Sequence, residues 1–159
     1  MINILAPFIF ALADFITGRD FFRRMKIPGR SIWYVGPILF LIFWPFSHTL
    51  AFLSIGWALW RSVFGWGMFG GRMDIRTMRD FGAMIARNMI SIVPTIAIGF
   101  FLGFHLLIMA GTWALFSILA TLPNVWFGKM TLKGIDVDPY VDAMHGGLFG
   151  LSCLLLIHG

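Results

Sequence analysis

The chain has 159 residues, of which 59% are hydrophobic and 12% are charged, and its mean hydropathy is +0.87. Soluble domains are about 45 to 50% apolar and about 25% charged, so the composition excludes an ordinary soluble protein and predicts one integral membrane domain over residues 1–159. The net charge of +5 does not indicate nucleic-acid binding, because the basic residues lie between apolar runs; membrane lipids with anionic head groups are the expected partners.

Four stretches without Lys, Arg, Asp or Glu organise the chain, and three polar connections separate them. The stretches cover residues 1–13, 31–60, 88–128 and 143–159. At about 1.5 Å per residue, a helix over 88–128 would be roughly twice as long as a ~30 Å bilayer core, so this stretch predicts a hairpin of two membrane helices. The fold class that follows is an all-α, polytopic transmembrane helical bundle.

The stretch 31–60 allows two arrangements, a single tilted helix kinked at Pro45 or a hairpin that turns back at 44–48. A single crossing would divide the basic residues almost evenly between the two sides of the membrane. The hairpin instead brings all 12 Lys and Arg residues to one face, which the positive-inside rule favours. Each arm would be only about 20 Å long, so we expect a re-entrant or steeply tilted hairpin.

Residues 72–87 predict an amphipathic helix on the cytoplasmic surface that runs into the next membrane helix. Its basic face carries Arg72, Arg76 and Arg79, which we expect to bind lipid head groups. Its apolar face carries Ile75, Met78, Phe81 and Ile85.

The last helix has the clearest start signal in the chain. Asp138 can cap free backbone N–H groups and Pro139 suits the first helical position, so we expect a helix from Pro139 to about His158. A helix of this length, some 30 Å, spans the membrane once and leaves the C-terminus on the outer face.

Asp142 and His145 lie three residues apart near the start of this helix, and therefore on one helical face. An Asp that orients an imidazole and raises its basicity would form an acid–base pair, so the two residues are the candidate catalytic pair. The structural alternative is a polar pair that satisfies itself or the helix start.

Two pairs of glycines have the small-xxx-small spacing that lets helix backbones approach closely. The first pair is Gly99 and Gly103, and the second is Gly146 and Gly150. We expect all four at helix contacts, either within one chain or between copies in an oligomer.

Neither a cofactor nor a metal is expected. In the favoured topology His145 lies nearer the cytoplasmic face, His105 near the outer turn of its hairpin and His48 near the re-entrant tip. These different depths argue against haem ligation by paired imidazoles on facing helices. The His and Cys spacing also matches no closed tetrahedral zinc pattern.

Residues 14–18, Asp-Phe-Ile-Thr-Gly, resemble the Asp-Tyr-x-Thr-Gly stretch that closes the first membrane helix in one family of small phage holins. Phe15 stands where those proteins usually have Tyr. The resemblance covers about five residues and implies a protein that permeabilises the inner membrane before lysis. For Asp14 itself, pairing with a nearby Arg is the default expectation, and a proton or ion role is the alternative.

The sequence favours a non-catalytic helical bundle of the bacterial inner membrane that associates with itself or with a larger complex, with holin-like permeabilisation as its most concrete form. The basic loops are expected in the cytoplasm. One alternative is a lipid-head-group enzyme or transporter that uses Asp142 and His145 at the cytoplasmic interface. Another is an accessory subunit of a larger membrane complex.

Overall fold

The computed structural model describes residues 2–17, 32–61, 77–128 and 138–159, and all regular secondary structure in these ranges is helical. The helices in chain order are α1 (Ile2–Thr17), α2 (Ile32–Phe43), α3 (His48–Leu59), α4 (Met78–Ser91), α5 (Val93–Phe101), α6 (Leu106–Leu119), α7 (Leu122–Gly128) and α8 (Asp138–His158). The predicted all-α fold class is confirmed.

Within the described ranges, three helices are long and apolar enough to cross a membrane. They are Met78–Phe101, Leu106–Trp126 and Tyr140–His158. The first joins α4 to α5 across an interruption at Ile92, and the second joins α6 to α7 across 120–121. Each interruption lies just before a proline, Pro94 or Pro123, which has no N–H for the helical ladder. The chain is therefore an integral membrane protein.

The stretch 31–60 folds as a helical hairpin, not as one kinked helix. α2 ends at Phe43, residues 44–47 form a turn, and the Ser47 hydroxyl accepts a hydrogen bond from the Leu50 N–H (3.3 Å) as the N-cap of α3. The two arms run antiparallel, because a Cβ added at Gly36 would lie 2.8 Å from the Ala58 Cβ.

The predicted hairpin in 88–128 is also confirmed. The chain turns at 102–105, where Gly103 has a φ of +80°, a backbone conformation that favours glycine. On the way back, the Trp113 indole N–H donates to the Met89 carbonyl (2.8 Å), so α6 packs antiparallel to α4.

α1 and α8 form the closest helix pair. A Cβ added at Gly150 would lie 2.6 Å from the Pro7 backbone nitrogen, and one added at Gly146 would collide with the Phe10 carbonyl. The glycines therefore let the two backbones approach within one chain. α8 begins at Asp138, as its start signal predicts.

The helices end in two layers. One layer, which we call the charged end, contains the last residues of α1, α3 and α7 and the first residues of α2, α4 and α8. The other layer, which we call the opposite end, contains the turns 44–47 and 102–105, the start of α1 and the end of α8. The three connections outside the described ranges begin and end at the charged end. Together with Arg61, Arg79 and Arg87 they contain every Lys and Arg of the chain.

α4 differs in detail from the predicted amphipathic helix over 72–87. It begins at Met78, where Thr77 and Asp80 form a capping box. Its buried residues are Met84, Asn88 and Ser91, whereas Met78, assigned above to the apolar face, is 82% exposed. The face that packs inward is thus partly polar, because its partners are polar groups on α3 and α6.

Cysteine labelling in intact bacterial cells tests which end faces the cytoplasm. In a Cys153→Ser background, we expect an impermeant thiol reagent to label Phe46→Cys at the opposite end and to spare Arg79→Cys at the charged end, because basic segments stay in the cytoplasm. Both positions should react after permeabilisation. If Arg79→Cys is labelled in intact cells and Phe46→Cys is not, the charged end faces the outside and the expected orientation is wrong.

A buried ion cluster as the candidate functional site

Asp14 occupies the last turn of α1 and is fully buried. Its Oδ1 accepts a hydrogen bond from the Trp57 indole N–H (3.2 Å) and lies 2.7 Å from Nε of Arg61. A buried carboxylate is costly in an apolar surrounding unless it is paired, so this position depends on α3. The Arg expected near Asp14 is therefore one that is distant in sequence.

Arg61 follows the end of α3 and joins two carboxylates. Besides its contact with Asp14, its Nη2 donates to Oδ1 of Asp142 on α8 (2.9 Å). Arg61 is 5% exposed and Asp142 is 8% exposed. We call Asp14, Arg61 and Asp142 the ion cluster, and it fastens the ends of α1 and α3 to the start of α8.

Further electrostatic contacts surround the ion cluster. Two carboxylates share one guanidinium within contact distance, and Arg87 on α4 lies within electrostatic reach of Arg61. The Arg61 guanidinium also lies 5.3 Å from the centre of the Trp60 ring, a cation–π arrangement. Among the described residues, the second oxygen of Asp14, Oδ2, has no hydrogen-bond partner, and it faces Gly146, where a Cβ would come within 2.7 Å of it.

His145, the other member of the candidate catalytic pair, has different partners. Its Nε2 lies 2.8 Å from the Ala120 carbonyl oxygen and 3.4 Å from Nδ2 of Asn124. A carbonyl oxygen can only accept a hydrogen bond, so Nε2 carries the ring proton and its N–H donates a hydrogen bond to the Ala120 carbonyl. Asp142 is engaged by Arg61 instead, so the two residues lie at one site but serve separate contacts.

A second polar network lies beside the ion cluster and joins the end of α3 to α4 and α6. The Trp60 indole N–H donates to the Ser91 hydroxyl (3.0 Å), and the Ser91 hydroxyl donates to the Asn88 carbonyl (3.0 Å). The Asn88 amide then donates to the Thr121 hydroxyl (3.1 Å) and to the Ser117 carbonyl (3.3 Å). Because each of these groups is buried and paired, α3, α4 and α6 are held together by hydrogen bonds at this depth.

The remaining predicted site residues are scattered. Arg79 is exposed in the first turn of α4, while Arg72 and Arg76 lie outside the described residues. Gly99 packs against the Phe104 ring, where an added Cβ would come within 3.0 Å, so it lies at a contact inside its own hairpin. Gly103 is not on a helix contact face: it lies beyond the end of α5, and a Cβ there would meet open space.

In the part of the chain that the structure describes, no group of three or more His, Cys, Asp or Glu side chains could hold a metal ion. Comparison with protein-family models, with curated proteins and with solved structures gives no match for this chain.

Replacing His145 with alanine separates a structural from a chemical role. We expect the His145→Ala change to lower the free energy of unfolding by about 0.5–1.5 kcal/mol, because the buried Ala120 carbonyl loses its 2.8 Å hydrogen bond from His145 and keeps the longer one from the Asn124 amide (3.4 Å). Thermal unfolding in detergent measures this loss, and the exposed His158→Ala change is the control. A His145→Ala protein that is fully stable yet inactive in cells would instead indicate chemistry at this residue.

Proposed function

We propose that the protein is a non-catalytic, self-associating helical bundle of the bacterial inner membrane that permeabilises the bilayer in a holin-like manner. The observation that carries the proposal is the ion cluster, which closes a bundle that is apolar outside and polar inside at one end. Such a bundle is stable as a closed unit in lipid, yet it holds polar faces that could line water if its helices separated.

The outer surface supports self-association. An apolar cavity of about 560 Å³ opens between α6 and α8, and its lining includes Leu115, Leu151 and Leu155. We infer that apolar side chains from a helix of a second copy fill this cavity, whose lining is apolar. The inner polar face of α4, with Asn88 and Ser91, would face water only if α4 separated from α3 and α6, to which these residues are hydrogen-bonded.

The holin-like residues also support the proposal. Asp14 is the carboxylate at the centre of the ion cluster, and the Thr17 hydroxyl donates to the Ala13 carbonyl (2.8 Å) in the same turn. The short segment that resembles holins is thus the segment that fastens α1 to the rest of the bundle. Loss of this contact would weaken the attachment of α1 to α3, which leaves its packing on α8 as the main remaining contact, so we infer that opening begins here.

Induced expression in bacterial cells tests this function. We expect wild-type protein to collapse the membrane potential after a delay, and Asp14→Asn to shorten the delay because the closed bundle loses an ionic contact. Asp80→Asn, at the exposed start of α4, should keep the wild-type delay. Purified protein should also release a small dye from lipid vesicles.

A wild-type protein that accumulates in the membrane without changing the potential, and vesicles that retain their dye, would contradict the proposal. Self-association is measured separately by energy transfer between donor-labelled and acceptor-labelled copies. Monomers at all protein-to-lipid ratios would remove the self-associating part of the proposal.

The lipid-head-group enzyme or transporter is the second candidate, and one observation favours it. Asp142 and His145 lie at the charged end beside Arg61, and Arg79 is exposed at that same end, where a phosphate could approach. The His145→Ala experiment above decides between this candidate and the non-catalytic bundle.

A further inference from the structure

The apolar cavity between α6 and α8 lies between two points at which these helices touch. At the charged end, Nε2 of His145 on α8 lies 2.8 Å from the carbonyl oxygen of Ala120, which directly follows α6. At the opposite end, a Cβ added at Gly159 would lie 3.1 Å from Cγ2 of Ile108 on α6. Because the helices already touch at both ends, a rigid movement of one towards the other cannot close the space between them.

The lining of this cavity calls for an apolar occupant. Its buried members are Phe116 on α6 and Ser152 on α8. The Ser152 hydroxyl donates to the Leu148 carbonyl (3.0 Å), so its proton already has an acceptor. Most of the remaining lining is aliphatic and includes Leu115 and Leu119 on one wall and Leu151 and Leu155 on the other.

The cavity follows the half of α8 that is nearer the opposite end. From Leu148 to His158, both of which line it, α8 rises about 15 Å, which is half of a ~30 Å hydrocarbon core and therefore the depth of one leaflet. His158 is exposed and forms part of the rim at the opposite end. Among the described residues that line the cavity there is no Lys or Arg, so the site selects an apolar chain and not an anionic head group.

A space of this size does not stay empty inside a bilayer. Its volume of about 560 Å³ is within the range of about 300–1,000 Å³ that is typical of ligand sites. An empty cavity leaves its lining without van der Waals partners, and the hydrocarbon core holds no water to fill it. Around a copy that has not associated, the available apolar groups are the acyl chains of the surrounding lipids.

We propose that each separate copy binds one acyl chain of a phospholipid in this cavity, with the head group at the opposite end, and that a second copy displaces this chain when two copies associate. The phospholipid comes from the leaflet at the opposite end. Binding of the chain does not depend on the proposed function, whereas its displacement rests on the self-association proposed above. The bound chain and the second copy compete for one cavity, so bound lipid holds the copies apart.

Native mass spectrometry counts the lipids that each copy retains. The full chain is reconstituted in a bilayer of equal amounts of oleoyl phosphatidylglycerol and oleoyl phosphatidylethanolamine and is then released in a mild detergent. We expect one phospholipid on the single copy, with both head groups retained equally because the site selects the chain. A single copy that retains no phospholipid would overturn the proposal, and so would one that retains only the anionic lipid.

A variant with a filled cavity provides the matched test. Leu151→Trp combined with Leu155→Trp places two larger rings in the cavity, so the single copy should lose its phospholipid. Phe8→Trp combined with Leu12→Trp is the control, because both positions are exposed on α1 and lie outside the cavity lining. Thermal unfolding verifies that both variants fold, and Leu115→Trp, on the other wall, gives a second filled variant. A phospholipid retained by the folded filled variants would contradict the proposal.

Energy transfer between labelled copies in the same bilayers keeps the two proposals separate. One retained phospholipid with monomers at all protein-to-lipid ratios would support the lipid site and contradict self-association. Associated copies with no phospholipid on the single copy would do the reverse. Dimers should retain less than one phospholipid per copy, and dimers that keep one on each copy would overturn the displacement.

Discussion

Arg61→Met is expected to destabilise the protein by about 3–5 kcal/mol, because it leaves two carboxylates buried without their common partner. Asp14 and Asp142 would then repel each other at the end of the bundle where α1, α3 and α8 meet. A melting curve in detergent measures the loss. Arg79→Met is the control, since Arg79 is exposed in the first turn of α4.

Removing all charges of the cluster should restore much of this loss. A triple variant, Asp14→Leu with Arg61→Met and Asp142→Leu, keeps similar volumes and leaves no unpaired charge, and such replacements of buried ion groups are often neutral. We expect the triple variant to melt above Arg61→Met. A triple variant less stable than Arg61→Met would indicate that size and shape, not charge, determine the role of Arg61.

Alanine at Gly146 or Gly150 is expected to separate α1 from α8 at a cost of about 1–3 kcal/mol or more. At Gly146 the new Cβ would collide with the Phe10 carbonyl and approach Oδ2 of Asp14, and at Gly150 it would collide with the Pro7 backbone. These atoms belong to backbone or to a buried, paired carboxylate, so the helices must move apart.

Gly111→Ala is the matched control for the two glycine variants. Gly111 lies in the middle of α6, and an added Cβ there would meet open space, so alanine should leave the stability unchanged or raise it slightly. Thermal unfolding compares the three variants. If Gly146→Ala and Gly150→Ala melt with Gly111→Ala, the close packing of α1 on α8 is wrong.

The helices were largely predictable because long apolar runs and charge positions determine them. The length of 88–128 without charge requires a hairpin in a bilayer, and the turn occurs at Gly103, a residue that tolerates a positive φ. The turn at 44–47 was favoured only by the distribution of basic residues. Asp138 and Pro139 predicted the start of α8, because helix starts depend on local sequence.

The ion cluster was not predictable as a unit. Arg61 directly follows an apolar stretch and opens a basic connection, and no local pattern marks it as the partner of two carboxylates. Its pairing with Asp14 and Asp142 depends on packing between helices far apart in the chain. The near spacing of Asp142 and His145 predicted a pair, whereas the fold gives each a separate partner.

The start of α4 carried a signal that the basic periodicity obscured. Thr77 and Asp80 have the spacing of a capping box, with Asp in place of the usual Glu or Gln, and this pattern alone places the helix start at Met78. The inward face of α4 was harder to predict, because Asn88 is buried only where Thr121 and the Ser117 carbonyl can bind it.

A double-mutant cycle between Asp14 and Arg61 tests most directly whether the ion cluster closes the bundle. The unfolding free energies of wild type, Asp14→Asn, Arg61→Gln and the double variant should give a coupling energy of about 1.5–3 kcal/mol, the value for a hydrogen-bonded charged pair. The cycle between Asp14→Asn and Arg79→Gln should be additive within about 0.5 kcal/mol. Additivity between Asp14 and Arg61 as well would contradict the contact that fastens α1 to α3 and α8.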